Sequence, residues 1–294
     1  MKKQIVIGSR GSRLAEIQAR SVLEKLGNLY PGVKFSLSKI VTRGDREKTS
    51  FLPQISGYGF FVKELEEALL EGRIDIAVHS LKDLPFQTPE KLLLAAITRR
   101  LDPRDVLISR RNNLEKLPAG SVVGTGSLRR TVQLKACRSD ILVRAIRGNI
   151  DTRLRRVSDG EVDAVIIAAA AMIRLGWQDK ITEYLSTDCF LPQAGQGALG
   201  IEIRSDDEEI LALIRLLHHE PTAQIVGAER SLVQTLGGGC SSAIASLGTI
   251  NGNKLRLRGM ITGEGGVVYA AEEGNILNPQ EVALRLAEKL KEDT

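Results

Sequence analysis

Along the first hundred residues, short apolar runs of strand length alternate with stretches in which apolar residues recur every three or four positions. That is the pattern of an α/β domain on a largely parallel sheet. QIVIGS predicts a strand, Ser12 to Gly27 an amphipathic helix, and KFSLSKIVT a second strand. FVKELEEALLEGR then predicts a helix and IDIAVHS another strand. Between the two strand–helix pairs, Arg43 to Gly59 is polar and contains Pro53, Gly57 and Gly59. A connection of that length predicts a functional loop or mobile lid.

The alternation resumes after Asp102-Pro103-Arg104-Asp105, a turn expected to mark a crossing between domains. SVVGT, ILVRAIR and DAVIIAA predict strands, with helices over SLRRTVQLKACR and NIDTRLRRVSDG. After LPQAGQG, the segment ALGIEIR predicts a strand and DEEILALIRLLHH a helix. A different region opens near Pro221 with a helix to about Leu236. It continues through a glycine-rich loop, three strand-like runs (SAIASLGTI, KLRLRGMIT, VVYAAEE) and a closing helix from Pro279. Length alone suggests two domains in 294 residues, but the patterning favours three.

Composition is that of an ordinary globular protein, with 43% hydrophobic and 26% charged residues, which excludes disordered and collagen-like classes. No apolar run approaches the roughly 20 residues that span a bilayer. The N-terminus MKKQIVIGSRGS turns polar too early for a signal peptide. Cys137, Cys189 and Cys240 show no paired spacing, so neither a disulfide framework nor a metal site is expected, and a soluble cytoplasmic protein is. The formal charge of +5 becomes informative once located. From Arg99 to Arg156, thirteen Arg and two Lys face five acids, leaving the rest of the chain net acidic. Arginine pairs with carboxylate or phosphate through two parallel hydrogen bonds, so nucleic acid or a small polyanion is the implied partner.

Several motifs place chemistry at strand-to-helix junctions. Gly124-Thr125-Gly126-Ser127-Leu128-Arg129-Arg130 combines free helix N–H groups, two hydroxyls and two cations, which suits an anion equally as well as a capped helix with solvated arginines. Its glycine spacing does not match a dinucleotide fingerprint. Arg147-Gly148-Asn149 with Arg153 repeats the construction, and Ser9-Arg10-Gly11-Ser12 offers it in the first unit. His79-Ser80-Leu81-Lys82-Asp83-Leu84-Pro85 puts a carboxylate at a strand end, where a solvated pair with Lys82 competes with a charge-stabilising or proton-transferring role. His79 is read as a buried structural residue, and His218 and His219 as caps of a helix C-terminus. Cys137 and Cys189 are read as buried hydrophobes, whereas Cys240, within Leu236-Gly237-Gly238-Gly239-Cys240, is a candidate attachment point.

HSLKDLP, DPRD, GTGSLRR, IRGN with DTRL, LPQAGQGALGIE and ERSLVQTLGGGC together resemble the porphobilinogen deaminase family, from the first strand to the last region. The resemblance implies two doubly wound α/β domains like those of periplasmic binding proteins, with the active cleft between them, and a small α+β third domain with an antiparallel sheet. On this chain that implies residues 1–98 with 198–217, residues 103–193, and residues 220–294. It implies a cytoplasmic, monomeric transferase that condenses four porphobilinogens head to tail, releasing ammonia each time, to give hydroxymethylbilane. Its primer would be one dipyrromethane cofactor held by a thioether, here on Cys240. Each pyrrole carries an acetate and a propionate, so the growing chain is a polycarboxylate that matches the arginine surplus.

By the same resemblance Asp83 is the catalytic carboxylate, stabilising positive charge on the pyrroles as ammonia leaves. Ser80, Lys82, Asp83, Thr125, Ser127, Arg129, Arg130, Arg147, Gly148 and Gln196 match cofactor-binding positions. Arg10, Ser12, Phe61, Arg147, Arg153 and Arg174 match substrate-binding positions. Family members commonly follow the cysteine with a Gln-Val-Pro-like stretch, where this chain has Ser241-Ser242-Ala243. A two-lobed non-enzymatic protein for a small polyanion would leave Cys240 and Asp83 without a role. A nucleic-acid binder fits poorly with 4% aromatics and arginines at strand–helix junctions.

Overall fold

A computed structural model describes residues 4–41, 62–110, 112–238 and 243–293. The lid expected over 43–59, together with Phe61 and Cys240, lies outside the described residues. In chain order the first elements are β1 (Gln4–Arg10), α1 (Arg13–Leu29), β2 (Lys34–Ile40), α2 (Lys63–Leu70), β3 (Ile76–Ser80) and β4 (Leu92–Ile97). Then come β5 (Asp105–Ser109), β6 (Val122–Gly124), α3 (Leu128–Cys137), β7 (Leu142–Arg144), α4 (Ile150–Ser158), β8 (Ala164–Ala168), α5 (Ala169–Leu175) and β9 (Glu183–Tyr184). The remainder is β10 (Leu199–Arg204), α6 (Glu208–Ile214), α7 (Glu220–Thr235), β11 (Ala245–Asn251), β12 (Lys254–Gly263), β13 (Gly266–Asn275) and α8 (Pro279–Glu292).

The chain divides into two compact units, residues 1–101 with 198–223, and residues 102–197 with 224–294. In the first, a five-stranded sheet has the order β2-β1-β3-β10-β4, with β1 parallel to β2 and β3 and with β10 antiparallel to both its neighbours. The second contains a sheet of order β7-β6-β8-β5-β9 in which β6 is parallel to β7 and β8, and β5 is antiparallel to β8 and β9. The two sheets are topological copies. In each, the reversed strand is the first one formed after the chain leaves the other unit, and the α/β patterning with one antiparallel intruder follows from that exchange.

Local chemistry explains the elements. The Ser12 hydroxyl caps α1 by accepting from Ala15 N at 3.3 Å, and Ala15, Gln18, Ala19, Val22 and Leu26 form its buried stripe. Gly27 does not end this helix; it runs to Leu29, just before Pro31, whose ring disfavours a helical conformation of the residue preceding it. Burying Ile5, Ile7, Val22, Leu26, Ile76, Ile201 and Ile203 in one cluster removes side chains that each contribute about 1.5–3 kcal/mol, which anchors β1 and β3 under the site.

The small antiparallel sheet β11-β12-β13 is covered by α7 and α8 through Leu232, Leu255, Leu257, Val282, Leu286 and Leu290. Gly259 makes the close approach possible, because a Cβ there would stand 2.7 Å from Leu290 and 2.9 Å from Leu232. Within the second unit this sheet packs on the α/β part through Leu191, Ala245, Leu247 and Met260. Buried Glu229 on α7 joins them by accepting from Gly195 N at 2.8 Å and Gly248 N at 2.9 Å.

Three expectations change. Strands β4, β5 and β9 and helix α5 were not read from sequence; α5 continues the apolar run of β8 with no polar break, so the switch of period is invisible. His218 does cap the C-terminus of the 3-10 turn Arg215–Leu217 that follows α6, donating its N–H to Arg215 O, but His219 does not. The His218 ring accepts from Ile97 N at 3.3 Å, whereas His219 caps the start of α7, its ring accepting from Thr222 N and its carbonyl from Ala223 N. Cys137 and Cys189 are exposed rather than buried: Cys137 ends α3 past its buried residues Gln133 and Leu134, and Cys189 lies in an exposed turn just before buried Phe190.

Candidate functional site

In the first unit the C-terminal end of β3 and the N-terminus of α1 enclose a cavity of about 80 Å³, lined by Arg10, Ser12, Gln18, His79, Ser80 and Asp83 among others. Ser80 ends β3, and a single turn of 3-10 helix over Leu81–Asp83 follows. Leu81 is fully buried and donates its N–H to Ala198 O at 3.1 Å, while Leu84 N closes the turn onto Leu81 O. Half-buried Lys82 and Asp83 therefore sit on a backbone fixed from both sides, not on a solvated surface pair. Gln18, which the sequence reading missed, exchanges hydrogen bonds with the Ser80 hydroxyl at 2.9 and 3.2 Å. A glutamine on the apolar stripe of α1 was the available signal.

His79 is buried as expected, and its Nε2 lies 3.2 Å from the equally buried Glu202 Oε2 on β10. The two facing atoms make no hydrogen bond to each other. Burial, with nearby Glu202, pushes the Glu66 carboxyl on α2 above its usual range.

In the second unit the parallel pair β6–β7 brings both glycine junctions to one sheet edge, and Thr125 N donates to Arg144 O at 3.0 Å. Gly126 is required there, since a Cβ would stand 2.7 Å from the Ile146 carbonyl oxygen. Gly148 takes φ +104°, a conformation that favours glycine. The Ser127 hydroxyl caps α3 by accepting from Arg130 N. Arg129 and Arg130, on the first turn of that helix, are neither solvated nor turned to solvent. Both grip buried Asp105 at 2.8 and 2.7 Å, and Gln196 Nε2 adds a bond to the same carboxylate at 2.9 Å. Burial alone would raise the Asp105 carboxyl, but the two guanidiniums and the bonds from Arg130 and Gln196 outweigh it and hold the group well below the usual carboxylate range.

Several cations of the arginine-rich segment have acids close by, as Arg104 with Asp102, Arg138 with Asp140 and Arg110 with Asp163 show. Arg153 and Arg174 differ. Arg153 Nε donates only to Gly148 O at 3.0 Å, and Arg174 to Gly197 O at 2.7 Å; neither has a carboxylate partner among the described residues. Burial, and for Arg153 also the neighbouring Arg130 charge, lowers both guanidiniums to about 10. Arg130 Nε is itself buried and unpartnered among the described residues. Desolvated cations without counter-charge are what an incoming carboxylate stabilises. Arg147 is exposed.

Each unit thus presents convergent polar and cationic groups at the strand ends of an α/β sheet, which defines an anion-handling α/β protein with one carboxylate, Asp83, held on a rigid turn. Comparison with known proteins narrows this. Residues 5–212 match the family described as porphobilinogen deaminase, dipyromethane cofactor binding domain, and residues 223–292 match the porphobilinogen deaminase C-terminal domain. A porphobilinogen deaminase of Pelotomaculum thermopropionicum is 45% identical over 99% of this chain and 95% of its own length. One of Geotalea daltonii is 46% identical over 99% and 92%. Among solved structures, the periplasmic VFT2 domain of Bordetella pertussis BvgS aligns at 16% identity over 77% of this chain and 93% of its own, with a TM-score of 0.43.

The chain belongs to the porphobilinogen deaminase family. It is a transferase of tetrapyrrole biosynthesis that carries a dipyrromethane cofactor and joins porphobilinogens into hydroxymethylbilane with release of ammonia. The reading as a non-enzymatic polyanion carrier is thereby displaced.

Proposed function

We propose that Asp83 is the catalytic carboxylate of this condensation and that Cys240 bears the cofactor through a thioether. The observation that carries the reading is that half-buried Arg153 and Arg174 have no carboxylate partner among the described residues, Arg153 lying near Arg130, whose Nε is likewise unpartnered among them. This donor set fits a group that carries several carboxylates. By resemblance, Thr125, Ser127, Arg129, Arg130, Arg147, Gly148 and Gln196 are assigned to the cofactor, and so are Ser80, Lys82 and Asp83. Arg10, Ser12, Phe61, Arg147, Arg153 and Arg174 would hold the acetate and propionate arms of porphobilinogen. Once bound, the dipyrromethane supplies the free pyrrole carbon that accepts the first substrate unit.

Loss of ammonia from porphobilinogen leaves positive charge on the ring system. Asp83, fixed by the Leu81–Asp83 turn, places negative charge where that charge develops and incurs no reorganisation when the reaction occurs. In this reading its carboxylate also accepts a pyrrole N–H hydrogen bond, which orients the ring. The arginines neutralise the lengthening polycarboxylate. The same reading treats the protein as a cytoplasmic monomer with domains at 1–98 with 198–217, 103–193 and 220–294. Sedimentation of the holoenzyme at the mass of one chain is the expected result.

Intact-protein mass spectrometry of freshly purified, active protein tests the attachment: the mass exceeds the polypeptide by one dipyrromethane, and Cys240→Ala loses the increment. Asp83→Asn is expected to retain the increment while turnover falls by at least about a hundredfold, the scale of losing one electrostatic stabiliser. A bare polypeptide mass in active enzyme overturns the first assignment, and near-normal activity of Asp83→Asn overturns the second.

A further inference from the structure

Two thiols in the second unit take no part in the catalytic reading. Cys137 is the last residue of α3, and Cys189 lies in the turn that Ser186 O closes by accepting from Cys189 N and Phe190 N. Both are exposed and unbridged. The Cys137 thiol donates to the Cys189 carbonyl, 3.9 Å away, which brings the two cysteines against each other. Their approach is not an accident of two surface rotamers. One turn before Cys137, buried Gln133 donates to Leu191 O at 3.0 Å and accepts from Leu191 N at 2.7 Å, and the Tyr269 hydroxyl on β13 donates to Cys189 O at 3.0 Å. The fold therefore holds the two segments in register whatever the thiols do.

We propose that Cys137 and Cys189 form a redox-active dithiol that closes to an intramolecular disulfide by exchange with a low-molecular-weight disulfide. The Cys189 thiolate attacks one sulfur of the external disulfide, forming a mixed disulfide and releasing one thiolate. Cys137 then gives up its proton to solvent and attacks the Cys189 sulfur, releasing the second thiolate. The two protein thiols lose two electrons and the external disulfide gains them, leaving as two thiols once protonated.

The order of attack follows from the surroundings. Burial, then the Cys189 charge and hydrogen bond, push the Cys137 thiol up to about 12, so it stays protonated at neutral pH. Consuming Cys189 in the mixed disulfide removes the smaller, Cys189-derived part of that upward push, which eases deprotonation of Cys137 for the second step. Tyr269 faces the same spot and is also pushed up to about 12 by burial and the two thiols, so it remains a neutral donor throughout. The bond would tie the end of α3, whose first turn carries Arg129 and Arg130, to the turn preceding Leu191.

The test treats reduced holoenzyme with glutathione disulfide, quenches with N-ethylmaleimide, and maps peptides without reduction. The expected product is a Cys137–Cys189 cross-linked peptide two hydrogens lighter than its parts, with neither cysteine alkylated. Cys137→Ser should stop at a stable glutathione adduct on Cys189, and Cys189→Ser should give no cross-linked peptide, any adduct on Cys137 persisting unresolved. Independent adducts on both cysteines, at rates unchanged by either substitution, would overturn the proposal. So would full alkylation of both after prolonged exposure to the oxidant.

Discussion

Asp105 shows how far a single residue's role depends on its neighbours. In sequence it is the last letter of a turn motif; in the fold it is a fully buried anion gripped by Arg129 and Arg130. Asp105→Asn leaves two buried cations without compensation and is expected to cost about 3–5 kcal/mol in urea unfolding at neutral pH. Because the folded carboxyl is held below its ordinary value, this contribution is full above the usual carboxylate range. It is lost as pH falls below that range toward the folded value, so parent and variant converge only in acid. Glu66 has the opposite sign. Its raised folded value penalises the ionised form, so Glu66→Gln should unfold at higher urea than the parent at pH about 8, with the gain fading as pH drops through the raised value toward the ordinary Glu range. An equal effect at both ends of that range would contradict the burial argument. Neither role was legible beforehand: a charged residue's letter does not say whether its partner lies two positions away, as for Arg104, or twenty-five, as for Arg130.

At the scale of elements, the junction β6–Thr125–α3 owes its shape to Gly126, and the closest atom to a Cβ there is backbone, which cannot rotate away. Gly126→Ala should cost about 1–3 kcal/mol by denaturant unfolding and lower the fraction of protein recovered with cofactor. Unchanged values for both would show the junction to be softer than its packing. Most elements were legible from local pattern, because β1, β3 and β8 are short apolar runs of strand length and the buried stripe of α1 repeats at helical spacing. The failures share a cause. The β8–α5 boundary lies inside an uninterrupted apolar run, and the isolated two-residue β9 carries too little sequence to show a period. The expected strand ILVRAIR shrinks to Leu142–Arg144 because the chain must turn at Ile146, whose carbonyl packs against Gly126.

Over the whole molecule, a net charge of +5 hides a strongly cationic segment, and the structure sorts that segment into paired and unpaired cations. If the unpaired ones bind the carboxylates of porphobilinogen, salt should compete: KM is expected to rise several-fold between low salt and about 0.5 M, with kcat little changed, since the Debye length shrinks below about 10 Å over that range. A KM flat in salt would count against carboxylate recognition by Arg153 and Arg174. The sequence by itself determined the family, the α/β alternation, the antiparallel C-terminal sheet and the residue types at the strand ends. Periodicity and motif spacing are local, and a chain records them whether or not it is folded. Only the tertiary structure decided which strand runs backwards in each sheet, which arginines already own a carboxylate, that Gln18 supports Ser80, and that two distant cysteines meet. Those facts depend on contacts between residues tens of positions apart, and such contacts exist only once the sheets have closed and water has been excluded from between them.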